Sequence, residues 1–184
     1  MNLTVKDKVL ISSFTALTAI GAYIRVPIPY IPFTMQFFFC GMSGVILGGR
    51  KGALSQLFYV IIGLMGIPIF TKGGGLQYIF EPSFGYLIGL IFAAYVIGKT
   101  TYSKDINFKN IFFSNLLGLG IIYFIGIIYL YIINKFYLGT NMTLKLAIYY
   151  GFIITILGDI IKALLVAGIS MRILSQVNMG MNNR

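Results

Sequence analysis

Two residues of opposite charge, Asp159 and Lys162, stand three apart in the apolar stretch Leu157-Gly158-Asp159-Ile160-Ile161-Lys162-Ala163. On a helix that spacing puts both on one face. One charge at the middle of a membrane costs at least about 2.5–3.5 kcal/mol. Pairing offsets part of this, although desolvation can exceed the Coulombic gain. The pair has two uses: an ion pair that fixes helix packing, or a polar site facing a cavity. In the second use Asp159 accepts hydrogen bonds and Lys162 donates them, which suits a small polar guest.

Two connections bring further polar groups. The longer runs from Gly66 to Tyr86 and contains Lys72, the consecutive glycines Gly73, Gly74 and Gly75, then Gln77, Tyr78 and Glu81. Consecutive glycines oppose helix by about 1 kcal/mol each relative to Ala. They permit close backbone approach and can present N–H groups to an anion. A flexible loop is the plainer reading of the same run. The earlier connection holds Pro27, Pro29 and Pro32, which forbid helix and favour a stiff extended segment. It serves either as a rigid linker or as a lid, with Thr34 and Gln36 polar where the chain re-enters the apolar phase. The first apolar run carries small residues at four-residue spacing, Ser12 with Ala16 and Thr15 with Ala19. Small residues allow close helix approach in lipid, within the chain or against another subunit.

Several chemistries are excluded or weakened. The chain has no His and one Cys, Cys40, so no internal disulfide forms and no metal site is expected. No Gly-x-x-x-x-Gly-Lys-Ser/Thr loop is present, so ATP hydrolysis is not expected of this chain. A net charge of +10 would suit nucleic acid in a soluble protein, but here the cations flank apolar runs. An enzyme acting on lipid would have Asp159 and Lys162 as its acid–base candidates, with no His or metal cluster in support.

The elements that position these residues are membrane helices. Of 184 residues, 58% are hydrophobic and 10% charged, too few polar groups to cover a soluble core. Apolar runs fall at 9–24, 33–48, 53–67, 84–97, 111–133 and 147–171. The expected fold is an all-α integral membrane protein of six transmembrane helices, a single transmembrane substrate-binding domain over 1–184. With the N-terminus in the cytoplasm, nine of the 14 Lys and Arg lie on the cytoplasmic side. Four, Arg25, Lys72, Lys135 and Lys145, lie on the other, and Lys162 lies within the sixth run. Cytoplasmic ends carry the excess of Lys and Arg, so both termini are expected in the cytoplasm of a multi-pass bacterial membrane protein. The first run follows Lys6 and Lys8 and has signal-peptide features, but it reads as a retained helix. No internal repeat of the kind that builds many secondary transporters is evident.

Five stretches together resemble the substrate-binding S components of energy-coupling-factor (ECF) vitamin transporters, and within them the biotin-specific BioY family. They are the small-residue first helix leading into Ile24-Arg25-Val26-Pro27-Ile28-Pro29, the segment Pro32-Phe33-Thr34-Met35-Gln36, and Leu47-Gly48-Gly49-Arg50-Lys51-Gly52-Ala53-Leu54-Ser55. The Gly66 to Tyr86 connection and Gly158-Asp159-Ile160-Ile161-Lys162 complete the set. The likeness spans nearly the whole chain and departs at Glu81-Pro82-Ser83-Phe84. It implies biotin as transported ligand near the outer face, no cofactor, and docking on a transmembrane coupling subunit driven by paired ATPases. On that reading Asp159 accepts from the ureido N–H groups, Lys162 donates to the ureido carbonyl or to the carboxylate, and Gln77 is a further partner of the head. Lys72 and the amides of Gly73, Gly74 and Gly75 meet the carboxylate near the mouth. Tyr78, Glu81, Tyr86, Thr34 and Gln36 complete the site, and Ser12, Ala16 and Ala19 face the coupling subunit. The alternatives are an S component for another vitamin, a structural membrane subunit, or the lipid-acting enzyme.

Overall fold

The computed structural model describes residues 3–103 and 106–182, with side chains described through residue 176. Six passes of helix run end to end. They are α1 (Val5–Tyr23), α2 (Gln36–Leu47), α3 (Gly49–Leu64), α4 (Phe84–Tyr102), α5 (Phe108–Ile132), and a final rod. The rod begins with the short α6 (Leu144–Ile148), passes through a π-helical turn, Tyr149–Ile153, and continues as α7 (Ile154–Asn182). A second π turn, Ile133–Tyr137, extends α5.

Among the described residues, three segments are long and apolar enough to cross a bilayer: Phe84–Tyr102, Phe108–Tyr137 and Leu144–Gln176. At 1.5 Å per residue, the 12 residues of α2 and the 16 of α3 reach only about 18 and 24 Å. Non-helical segments make up the remaining depth at one end. The second apolar run begins at 33, but its helix starts at Gln36. Phe33 and Thr34 (β2, Phe33–Thr34) instead pair antiparallel with Val26 and Arg25 (β1, Arg25–Val26). The third helix starts four residues before its apolar run, because Gly48 (φ 78°) turns the chain sharply and α3 begins at once. Its Arg50 and Lys51 fall in the first turn.

Paired ends show which termini share a side. Lys51 at the start of α3 binds Asp7 at the start of α1 at 2.5 Å. At the other end, the Tyr23 hydroxyl at the end of α1 donates to the Pro68 carbonyl. Tyr30 packs on Tyr150 with ring centroids 5.1 Å apart, and Phe80 stacks on Tyr137 at 4.4 Å. The proline segment, the glycine connection and both π turns therefore gather at one end. That is the end with fewer cations, and so the extracytoplasmic one. Lys104 and Arg184, counted on the cytoplasmic side, lie outside the described residues.

The surface fits lipid. Phe124 (69% exposed), Leu157 (71%) and Phe113 (60%) point outward from the helices, a costly arrangement in water and a neutral one among acyl chains. Polar contacts hold the inside. Gln56 Nε2 donates to Thr18 Oγ1 at 3.1 Å and Ser43 Oγ at 3.3 Å, and Thr15 Oγ1 donates to the Ser55 carbonyl at 2.8 Å. These bonds join α1, α2 and α3. Glycine permits the closest backbone approach: a Cβ on Gly98 of α4 would lie 2.2 Å from the Gly49 nitrogen.

Candidate ligand-binding site

The charged pair is buried, Asp159 7% and Lys162 4% exposed, and it is paired as its spacing requires. One turn of α7 brings Lys162 Nζ to Asp159 Oδ1. The rest of the site is built around this contact. The β1–β2 hairpin delivers the Thr34 carbonyl, which accepts from Lys162 Nζ at 2.7 Å. It also lays the Phe33 ring under the ammonium, 3.8 Å from Nζ to the centroid. Gly158 makes this possible, since a Cβ there would meet the ring at 2.4 Å. From α5, the Tyr123 hydroxyl donates to Asp159 Oδ2 and stands 3.2 Å from Thr155 Oγ1. The pair is thus held by a cation–π contact and charge-assisted hydrogen bonds, the conditions under which a buried ion pair is tolerated.

Asp159 and Lys162 form one wall of a cavity of about 70 Å³. The second wall, Thr34 and Gln36, is braced from behind by a hydrogen-bonded chain: Thr34 Oγ1 donates to Gln36 Oε1 at 2.8 Å, and Gln36 Nε2 to the Tyr59 hydroxyl at 2.8 Å. Tyr59 in turn donates to the Ile69 carbonyl at 3.1 Å. The glycine connection supplies a third wall of hydroxyls, with Thr71 Oγ1 2.7 Å and Ser83 Oγ 3.3 Å from the Tyr78 hydroxyl. Tyr86 lines the cavity and donates to the Gly151 carbonyl in the π turn at 3.0 Å. Leu87, Leu119 and Ile122 add apolar surface.

Of the residues singled out from sequence, Asp159, Lys162, Thr34, Gln36, Tyr78 and Tyr86 line this cavity. The structure does not bring Lys72, Gly73, Gly74, Gly75, Gln77 or Glu81 to it. Lys72 is spent on Glu81 at 2.7 Å, on the exterior. The Gly73 and Gly75 amides donate to the Phe70 and Gly63 carbonyls at 3.2 and 2.8 Å, so they close a turn rather than face a guest. Gly74 lies against backbone, since a Cβ would meet the Ile67 oxygen at 2.2 Å. The exposed Gln77 donates to the Gly74 carbonyl at 2.6 Å. Ser12, Ala16 and Ala19 line a separate apolar groove on the outside of α1, with Phe58 and Ile62 of α3.

Four lining polar groups escaped sequence reasoning: Tyr123, Thr155, Thr71 and Ser83. Thr155 lies four residues before Asp159, and that helical spacing was a readable signal. Tyr123 is one of 13 tyrosines, with nothing local to set it apart. Thr71 and Ser83 reach the cavity through the path of a long loop, which has no periodicity.

Six helical passes around a small charged cavity, roofed by loops at one end, define a multi-pass membrane protein with a candidate ligand cavity near its extracytoplasmic face. The BioY family model matches residues 1–179, and the chain belongs to the BioY family. A probable biotin transporter BioY of Lysinibacillus sphaericus is 43% identical over 157 residues, covering 85% of this chain and 80% of that protein. The biotin transporter BioY of Thermotoga maritima is 38% identical over 161 residues, covering 87% and 90%. Among solved structures, the S component for biotin from an ECF-type ABC transporter superposes with a TM-score of 0.80 at 28% identity, covering 93% of this chain and 92% of that one.

Proposed function

We propose that this chain binds biotin in the membrane and serves its uptake as the substrate-specific S component of an ECF-type ABC transporter. The observation that carries the reading is the buried Asp159–Lys162 pair in the wall of a roofed cavity, in a chain of the BioY family. A carboxylate has about four acceptor positions. Lys162 and Tyr123 take one on each oxygen of Asp159, which leaves capacity for the two N–H groups of a ureido ring. Lys162 has a third donor for the ureido carbonyl or the carboxylate of the guest. Leu87, Leu119, Ile122 and the Phe33 ring suit an apolar bicycle. The hydroxyls of Thr71, Tyr78 and Ser83 come from the glycine connection at the extracytoplasmic end, where a carboxylate tail is least costly to place.

Room of about 70 Å³ is far below the roughly 300 Å³ and more of small-molecule sites. Entry therefore requires the walls to part. The segments that would part are the two that roof the cavity, 27–32 and 66–83, the latter with its 3-10 turn Leu76–Phe80. The chain carries the site but no nucleotide-binding loop, so the energy comes from ATPases acting through a transmembrane coupling subunit. The α1 groove of Ser12, Ala16 and Ala19 is the docking face on this reading.

Binding by the purified protein to a panel of vitamins tests the assignment. Saturable binding of biotin alone, matched by biotin released from the denatured protein and identified by mass spectrometry, is expected. Preference for another vitamin, or no bound vitamin, contradicts it.

A further inference from the structure

At the end opposite the cavity, the outer face of α3 and α4 carries a feature that biotin binding does not use. Arg50 at the start of α3 and Lys99 near the end of α4 line one groove, together with Gly48, Tyr95, Tyr102 and Ser103. A second groove is lined by the apolar side chains of Ala53, Leu54, Leu57 and Ile91, and it shares Arg50 and Tyr95 with the first. The two are therefore continuous. From Arg50 to Leu57 the apolar part climbs seven residues of α3, about 10 Å toward the middle of the bilayer.

Among the described residues the charged end has no carboxylate partner; Lys99 Nζ lies over the Tyr95 ring, 6.0 Å from its centroid. The chain has four acidic residues. Asp7, Glu81 and Asp159 are committed to Lys51, Lys72 and Lys162, and the fourth, Asp105, lies outside the described residues. Among the described residues, Arg50 and Lys99 thus have no carboxylate partner. α3 also starts with no side-chain cap and no acidic residue in its first turn, so its leading N–H groups add positive potential at the same place. A cationic head recess that opens into an apolar furrow matches an amphiphile with an anionic head. Basic pockets between helices on the cytoplasmic side suit such lipids.

We propose that the joined grooves bind an anionic phospholipid of the inner leaflet. Its phosphodiester sits between Arg50, Lys99 and the first amides of α3, and one acyl chain lies along Ala53, Leu54, Leu57 and Ile91. Native mass spectrometry of the full chain in detergent tests this, with dioleoyl phosphatidylglycerol, dioleoyl phosphatidylcholine and inorganic phosphate as separate additions. One phosphatidylglycerol is expected to stay bound where phosphatidylcholine and phosphate do not. Arg50→Gln with Lys99→Gln should weaken that adduct by about 10- to 30-fold, as expected for two interfacial cations. Ala53→Phe should weaken it with both cations in place, and Lys135→Gln with Lys145→Gln, at the other end, should leave it intact. An unchanged biotin titration shows that the variants are folded. The proposal is overturned by equal retention of the two lipids, by undiminished phosphatidylglycerol in R50Q/K99Q or A53F, or by phosphate binding where the lipid does not.

Discussion

Asp159 draws its character from what surrounds it. Lys162 supplies the counter-charge, Tyr123 fixes the second oxygen, and Thr34 and Phe33 hold Lys162 in place. If Tyr123 orients the carboxylate for the guest, Tyr123→Phe should weaken biotin binding about 10-fold, the worth of one charge-assisted hydrogen bond of about 1.5 kcal/mol. Isothermal titration reads this directly, and an unaltered affinity would remove Tyr123 from the site. Residue chemistry was legible where charge made it conspicuous: an ion pair in an apolar run has few uses. Lys72 and Glu81 were equally conspicuous, but each found the other across nine residues of loop. That proximity depends on the loop's path, which side-chain type and spacing do not encode.

At the scale of elements, glycine contacts separate positions that must stay bare from those that need not. Gly98 faces the α2–α3 turn, with the Gly48 carbonyl carbon and the Gly44 oxygen at 2.5 and 2.6 Å from a built Cβ. Backbone cannot step aside as a side chain can. Gly98→Ala is expected to cost about 1–3 kcal/mol through overpacking and to lower Tm by roughly 2–12 °C. Gly120 on α5 has nothing within 4 Å, so Gly120→Ala should leave Tm unchanged or raise it, by the usual helical preference of about 1 kcal/mol for Ala. Thermal melts of both variants check the pair, and a larger loss at Gly120 would contradict the packing described. On α1, Ala16→Trp fills the outer groove while Thr15 and Thr18 still pack inward. It should abolish assembly with the coupling subunit in co-purification and spare biotin binding. Normal assembly would remove the docking role from that face. The helices themselves were readable as apolar runs. The start of α2 was not, because two apolar-flanked pairs of hairpin residues look like helix until Pro32 and the pairing partner are placed together.

Over the whole molecule, charge asymmetry and the pairing of ends agree. The Asp7–Lys51 bridge ties the starts of α1 and α3 on the cation-rich side, and Tyr23 ties the end of α1 to Pro68 on the other. Six passes and their direction were therefore legible from hydropathy and Lys/Arg counts, even though α2 and α3 are shorter than a full crossing. What composition did not reveal is how the depth missing from those helices is filled by the hairpin and the glycine connection, which thereby become the walls of the cavity. The orientation predicts opposite labelling of two exposed positions in a Cys40→Ser background. Asn141→Cys should react with a membrane-impermeant maleimide on intact cells, and Ser103→Cys only after permeabilisation. The reverse pattern would invert the topology and place the cavity on the wrong side for uptake.

On the proposed function, the buried carboxylate of Asp159 receives biotin. Calorimetric titration of biotin into purified Asp159→Asn, a nearly isosteric change that keeps one acceptor and loses the charge, tests it most directly. The Kd should rise by about 10- to 1,000-fold, equivalent to about 1.5–4 kcal/mol, in a protein that stays monodisperse. A Kd equal to that of the unaltered chain would contradict it.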